Sequence, residues 1–298
     1  MQTLEALQRL YEREGITFTE EDNALIKLRV HNSAAEAEIY LHGALVSHFQ
    51  PKNEAALIFD ATKTELQPPK TVHAGIPLCW PWFGAHPTDT HKPQHGFARD
   101  SIWELREIIS ETSGETTVIL TLHNDDSRER LFAYAFELTL TVTVAKSLTL
   151  SLRTTNLDKE SFTLTQALHT YLAVDDVQRV IIKGLERTSY VDYTDEKRKK
   201  VASTPLMLEG ETNRVYLPTT SSCSLIDPQL GRIITVEKHG SDSTTIWNPW
   251  KENRIHDLQG QRYRKFVCIE TTNALEDART LQPGESTTIT QKLSAERL

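Results

Sequence analysis

The sequence predicts an all-β chain, a sandwich or a barrel of many short strands with one short N-terminal helix. Three observations carry that prediction. Apolar and polar residues alternate over long stretches, β-branched runs recur between Gly, Asn, Asp and Pro turn signals, and nothing beyond the first dozen residues is spaced as a long helix. The opening residues Leu4, Leu7, Leu10 and Tyr11 fall at helical spacing, which makes residues 1–14 a helical extension leading into the body. Val118, Leu120 and Leu122 then alternate as a strand. Phe136, Leu138, Leu140, Val142 and Val144 alternate with Glu137, Thr139, Thr141 and Thr143; a turn at Ala145-Lys146-Ser147 returns the chain through Leu148, Leu150 and Leu152. This is a hairpin with one buried face. Further short strands are expected at Val180-Ile181-Ile182, Ile233-Ile234-Thr235-Val236 and Thr287-Thr288-Ile289-Thr290. No Pro/Ser-rich linker, compositional break or fixed-period repeat divides the 298 residues, so they read as a single domain.

Composition narrows the partners. Lys and Arg total 33 against 41 Asp and Glu, a formal net charge of -8 with a pI near 5.8, so no global positive field exists to hold nucleic acid or an anionic membrane. The run Glu196-Lys197-Arg198-Lys199-Lys200 follows Asp192 and Asp195 and lacks interleaved aromatics; it reads as a solvated loop. The three cysteines, Cys79, Cys223 and Cys268, are far apart and without C-x-x-C spacing, which suits a reducing cytoplasm. Charged residues fill the N-terminus, and no window approaches the ~18 apolar residues of a membrane span. A cytoplasmic monomer acting on a small molecule is the expectation, with no nucleic acid and no membrane as partner.

Two polar residues set into apolar runs are the candidates for chemistry. Glu270 follows Phe266-Val267-Cys268-Ile269 and precedes Thr271-Thr272-Asn273-Ala274, an acid closing a buried strand. Desolvation there raises a carboxyl group's affinity for protons and suits it to moving them, although a buried ion pair with an arginine also explains such an acid. His169 interrupts Ala167-Leu168 and Tyr171-Leu172-Ala173-Val174; it reads either as a satisfied core histidine or as the acid partner of Glu270. Cys268, beside a carboxylate in an apolar run, reads as inert packing.

The segment 75–84 holds Pro77, Pro81, Trp80, Trp82 and Phe83 between glycines. Its prolines exclude regular pairing, so the aromatics are either displayed from a stiff loop towards a sugar ring or plug the end of the sandwich. Trp247-Asn248-Pro249-Trp250 repeats the theme and suggests a second wall. His86, His91 and His95 are close enough in sequence to raise a metal-dependent hydrolase, but the prolines between them and the absence of a helix or strand to pair them on one face weigh against a zinc site. His95 is the functional choice among them, because Gly96 beside it permits close approach of a ligand and Arg99 offers a fork for an anion. There is no Gly-rich phosphate loop, G-x-S-x-G elbow or H-E-x-x-H, and no metal or cofactor is expected.

In order along the chain, His42-Gly43-Ala44, Gly75-Ile76-Pro77 with Trp80-Pro81-Trp82-Phe83-Gly84, His95-Gly96-Phe97-Ala98-Arg99, Leu168-His169-Thr170-Tyr171, Trp247-Asn248-Pro249-Trp250 and Cys268-Ile269-Glu270 resemble the aldose 1-epimerase superfamily, and more closely its hexose-6-phosphate mutarotase branch. The resemblance runs from about His42 to the Pro283-Gly284-Glu285 turn. It implies a large antiparallel β-sandwich of the galactose-mutarotase type, and interconversion of the α and β anomers of a hexose 6-phosphate, glucose 6-phosphate first. It also implies that Glu270 is the general base on the anomeric hydroxyl and His169 the general acid on the ring oxygen. Within the same resemblance His95 contacts the sugar, Arg99 serves the phosphate, and Trp82, Phe83 and Trp247 complete the substrate site. Two positions depart from the branch. His73-Ala74-Gly75-Ile76-Pro77 stands where Arg-Gly-Gly-Ile-Pro is usual, and Asn213-Arg214-Val215-Tyr216 where Asp-Arg-x-Tyr is usual. Both bear on substrate binding more than on the acid–base pair. Beside the phosphosugar reading stand a mutarotase for an unphosphorylated aldose and a non-catalytic carbohydrate-binding protein on the same scaffold.

Overall fold

The computed structural model describes residues 2–21, 24–60 and 72–298. Helix Leu4–Tyr11 opens the chain, capped by the Thr3 hydroxyl, which accepts the Ala6 N–H at 3.3 Å. It ends before the expected residue 14, and only Leu7 of its apolar positions is fully buried, Leu10 remaining 64% exposed. Leu4 and Tyr11 also pack against the core, and the Tyr11 hydroxyl donates to the Arg106 carbonyl at 2.9 Å, holding the helix to the sheet.

Two eight-stranded antiparallel sheets form the body. The long-strand sheet runs in the order Ile181–Lys183, Cys223–Asp227, Arg232–His239, Ser286–Arg297, Leu148–Asn156, Phe136–Val144, Thr116–His123, Glu104–Ser110. Every strand expected from alternation lies in it, and the central hairpin pairs Val144 with Leu148 across the expected turn. The short-strand sheet runs Arg198–Val201, Ser189–Asp192, Thr212–Tyr216, Ser243–Asn248, Phe266–Asn273, Gln166–Leu168, Leu78–Cys79, with Tyr171–Ala173 also paired to Phe266–Asn273. Four strands at the N-terminus, Ile16–Glu20 through Val46–Pro51, make a separate sheet, and Phe162–Leu164 pairs with Arg279–Leu281.

The two large sheets share one apolar cluster. Leu138, Leu140, Val142, Leu150 and Leu152 from the long-strand sheet belong to it together with Ile246, Val267 and Ile269 from the short-strand sheet. A buried polar bridge crosses the same interface: Thr271 donates to Gln291 at 2.9 Å, and the Gln291 amide donates to Thr170 at 2.6 Å. Because side chains alternate along a strand, Val267, Ile269 and Thr271 facing the core sends Cys268 and Glu270 to the opposite face. That face carries the site.

Two sequence expectations need correction here. The segment 75–84 does pair in part, since Leu78–Cys79 forms a short strand against Gln166–Leu168 between its two prolines. Glu270 does not close its strand. The run continues through Thr271, Thr272 and Asn273, all buried, because Ser243, Gln166 and Asp277 supply hydrogen bonds that let these polar side chains stay inside. Among the described residues no helix is long and apolar enough to cross a membrane.

Candidate active site

Register builds the floor of the site. Across the strands Thr212–Tyr216, Ser243–Asn248 and Phe266–Asn273, Val215 pairs with Thr245 and Thr245 with Glu270; one row along, Asn213 pairs with Trp247 and Trp247 with Cys268, and Tyr171 extends that row. Side chains directly opposite each other stand on the same face of a sheet. Two parallel rows are thereby presented to one cavity of about 740 Å³, a volume suited to a ligand of sugar size.

His169 enters from a break in the chain. It lies between the strands Gln166–Leu168 and Tyr171–Ala173, not within a strand as the sequence suggested. Its N–H donates to the Pro77 carbonyl at 3.0 Å, and the Thr170 N–H turns back to the Leu168 carbonyl at 3.0 Å. An irregularity of this kind re-aims a side chain that regular pairing would leave on the sheet face. The imidazole stacks on Tyr171, with ring centroids 4.9 Å apart and planes at 13°, and meets the edge of Trp247 at 6.0 Å. Nε2 of His169 then lies 3.5 Å from Oε1 of Glu270.

Both members of this pair are buried, Glu270 at 1% exposure and His169 at 8%. Glu270 Oε2 and His169 Nδ1 have no hydrogen-bond partner among the described residues. Burial pushes the Glu270 carboxyl well above the usual carboxylate range, and burial, reinforced by His95 and Arg99, pushes His169 well below the usual imidazole range. Burial thus disfavours the charged form of each group, and the two stand where either can exchange a proton with a ligand. No arginine pairs with Glu270 among the described residues, which removes the structural ion-pair explanation for this acid.

Around this pair stand Phe83, His95, Arg99, His73, Asn213 and Trp247, all lining the cavity. His95 lies 5.6 Å from His169 and 5.1 Å from Phe83, ring centre to ring centre, and its Nδ1 accepts the Gly84 N–H at 3.2 Å. Burial lowers its pKa to about 3, with Arg99 and His73 adding to the effect, so His95 is neutral at ordinary pH. Gly96 matters for a reason other than ligand approach. With φ at +73°, it sits so close to the Trp80 carbonyl that a Cβ would come within 1.9 Å of the oxygen, and the Phe97 N–H bonds that same carbonyl at 3.0 Å. The glycine thus clamps the His95-to-Arg99 segment onto Trp80. Arg99 donates from Nη2 to the Gln94 carbonyl at 2.6 Å and keeps Nε 3.9 Å from the Asp100 carboxylate. His73 is held at two points by Asp257, through its backbone N–H and through Nδ1, each at 2.8 Å. Burial raises the Asp257 pKa and the bonds from His73 more than reverse that, leaving a carboxylate.

Trp82 is not brought to the cavity. It is 5% exposed, donates its indole N–H to the Pro93 carbonyl at 2.8 Å and packs against His86 and Phe97. Trp80 likewise fills the core against Phe97, Phe132 and Phe136, and Trp250 packs on Tyr263. Of the aromatics in these two segments, Phe83 and Trp247 face the cavity. His86 and His91 do not join His95; His86 Nδ1 accepts the N–H groups of Thr88 and Asp89 in its own loop. Among the described residues, the one group of metal-type donors is His169, Cys268 and Glu270, with ligand atoms within 4.8 Å of one another. Burial and the neighbouring Glu270 push the Cys268 thiol well above its ordinary value. Both shifts oppose the thiolate and carboxylate forms that a cation would need.

Sequence reasoning missed Asp257, Tyr193 and Lys197. Asp257 carries no local signal. Lys197 belongs to the basic stretch read as a solvated loop and Tyr193 shortly precedes it, yet both line the cavity.

The profile of the aldose 1-epimerase family matches residues 26–294. A relative from Cenchrus ciliaris named "Putative glucose-6-phosphate 1-epimerase" is 33% identical over 260 residues, 84% of this chain and 78% of the relative. One of the same name from Escherichia coli K12 is 29% identical over 251 residues, 83% of each chain. The crystal structure of a "putative mutarotase" from Salmonella typhimurium superposes with a TM-score of 0.87 at 23% identity, covering 96% of this chain and 95% of that one. With its profile, its sandwich and its buried acid–histidine pair in agreement, this chain belongs to the aldose 1-epimerase family.

Proposed function

We propose that the protein is an isomerase that interconverts the α and β anomers of a hexose 6-phosphate, glucose 6-phosphate first, working as a single-domain monomer in the cytoplasm. The observation that carries this reading is the Glu270–His169 pair, two buried groups 3.5 Å apart on the floor of a sugar-sized cavity, with the charged form of each disfavoured by burial. Mutarotation moves one proton from O1 to O5, two oxygens on the same carbon, so its acid and base must converge as these two do. In the opening direction the Glu270 carboxylate takes the O1 proton, O1 becomes a carbonyl oxygen, the C1–O5 bond breaks, and O5 takes a proton from the His169 imidazolium. The pair is then left as protonated Glu270 and neutral His169, the state its burial favours. After rotation about C1–C2, the O5 hydroxyl adds to the other face of C1 while His169 accepts its proton and Glu270 returns one to O1. The pair keeps a single proton between catalytic events, and its two charge forms differ only in where that proton sits.

In the same reading His95 and Asn213 hold sugar oxygens, Phe83 and Trp247 flank the ring, and Arg99 and His73 face the charged end. The names of the two relatives support a phosphorylated substrate, and the guanidinium in the cavity lining is consistent with it. The test is exchange spectroscopy by NMR on equilibrated glucose 6-phosphate, glucose and galactose. Accelerated anomer exchange of glucose 6-phosphate, with the free sugars slower, is the expected result. A preference for the free sugars places the same chemistry on another aldose. Binding without exchange for all three would make the protein a carbohydrate-binding module.

A further inference from the structure

Most of the charge near the cavity is already matched. Arg99 shares the lining with the Asp100 carboxylate 3.9 Å away, and His73 is locked to Asp257 at 2.8 Å. The hairpin of the strands Ser189–Asp192 and Arg198–Val201 carries four consecutive cations, Lys197 at its tip and three in the returning strand, and those three are paired: Arg198 with Asp195 and Glu196 at 3.6 and 3.4 Å, Lys199 with Glu276 at 3.2 Å, Lys200 with Asp192 and Asp195 at 2.9 and 2.8 Å. Lys197 is the exception. It has no carboxylate partner among the described residues, its ammonium lies 5.3 Å from the centre of the Tyr193 ring, and it is the cation of this run that lines the cavity.

The backbone holds it there under strain. Glu196 and Lys197 both adopt left-handed conformations, with φ of +51° and +58°, in a turn closed by the Arg198 N–H on the Asp195 carbonyl at 2.9 Å. Two successive non-glycine residues at positive φ are unfavourable, and such a turn is most easily made by Asn-Gly. Strain of this kind persists where the surroundings fix it. Here they do: the buried Asp192 carboxylate accepts from the Thr194 hydroxyl at 2.6 Å and from Lys200, while the Tyr193 N–H anchors to the Asn213 carbonyl at 2.8 Å.

We propose that Lys197 is a specificity residue that binds the phosphate of the substrate, supplying from the opposing hairpin the permanent charge that His73 does not. The proposal rests on the hexose-phosphate reading given above and adds the group that distinguishes the phosphorylated sugar from the free one. An ammonium on a flexible stem suits this role as a point charge, leaving the forked contact to Arg99.

The experiment compares wild type with Lys197→Ala and Lys197→Arg, measuring anomer exchange of glucose 6-phosphate and glucose, and binding of inorganic phosphate by NMR shift titration. Lys197→Ala is expected to raise KM for glucose 6-phosphate about tenfold, the effect of one charge-assisted contact, with kcat within twofold and KM for glucose unchanged. It is also expected to weaken phosphate binding, and Lys197→Arg restores most of both. Equal phosphate binding in wild type and Lys197→Ala, or an equal KM change for both sugars, overturns the proposal. Absence of glucose 6-phosphate exchange in wild type while phosphate still binds through Lys197 would instead overturn the substrate reading and leave the anion site standing.

Discussion

The two large sheets are made of the same material and obey different rules. In the long-strand sheet Phe136–Val144 and Leu148–Asn156 alternate buried and less buried residues without interruption for most of their length, and their inward side chains are hydrocarbon up to Thr154 and Asn156 at the end of the second. In the short-strand sheet Phe266–Asn273 is buried along its whole length, places an acid and a thiol on the cavity face, and is flanked by a neighbour broken at His169 and Thr170. Among the described residues the first sheet leaves Thr154 Oγ1 and Arg232 Nε without partners, both away from the cavity; the second leaves Glu270 Oε2 and Thr245 Oγ1, with His169 Nδ1 beside them, in the cavity lining. Buried polar atoms without partners are costly, and those in a cavity lining are the ones a ligand can complete. The difference assigns stability to one sheet and chemistry to the other.

That division is open to attack from either side. The largest expected effect is on the reacting pair: His169→Asn should lower anomer exchange about 10³-fold, the scale of a lost general acid, with little change in thermal stability. A melting temperature lowered by many degrees would return His169 to the core. On the other side, Leu140→Ala, cut from the fully buried Leu140 opposite Leu152, should cost about 3 kcal/mol in chemical denaturation and leave kcat per folded molecule unchanged.

A third consequence is a pH dependence of stability with a definite sign. The folded pKa of His95 is about 3 against an ordinary 6.5, so between those values the unfolded chain binds a proton the folded chain refuses. Stability is lost as pH falls from 6.5 towards 3, and His95→Asn should flatten that slope relative to wild type in denaturation curves taken across the range. Glu270 acts in the opposite sense. Its raised folded pKa makes the native state lose stability as pH climbs above the ordinary carboxylate range, so Glu270→Gln should flatten the alkaline limb. The smallest effect belongs to Asn213, where removal of a single neutral hydrogen-bonding side chain by Asn213→Ala should raise KM about fivefold, near 1 kcal/mol, without touching kcat.

Legibility in the sequence follows the same division. Period-two alternation revealed the long-strand sheet because only one of its faces is fully buried, and the pattern survives in the order of residues. Glu270 and His169 were visible as polar interruptions of apolar runs, although the extent of the strand around Glu270 was not, since Thr271-Thr272-Asn273 looks like a turn until Ser243, Gln166 and Asp277 are known to meet it. Trp82 carries the composition of a sugar platform, but its indole is committed to Pro93, a choice made by the packing of a loop on itself. Lys197 was hidden most completely. Its placement depends on a left-handed turn made without glycine and on ion pairs that occupy its three neighbours, neither of which leaves a local pattern.

The central claim is that Glu270 is kept buried and incompletely bonded for proton transfer and not for the fold. The direct test is Glu270→Gln, measured for anomer exchange of glucose 6-phosphate and for thermal stability in the same preparation at pH 8. The predicted result is exchange reduced by about 10³-fold or more at a melting temperature equal to or above that of wild type. Exchange at the wild-type rate, or a variant that no longer folds, would contradict it.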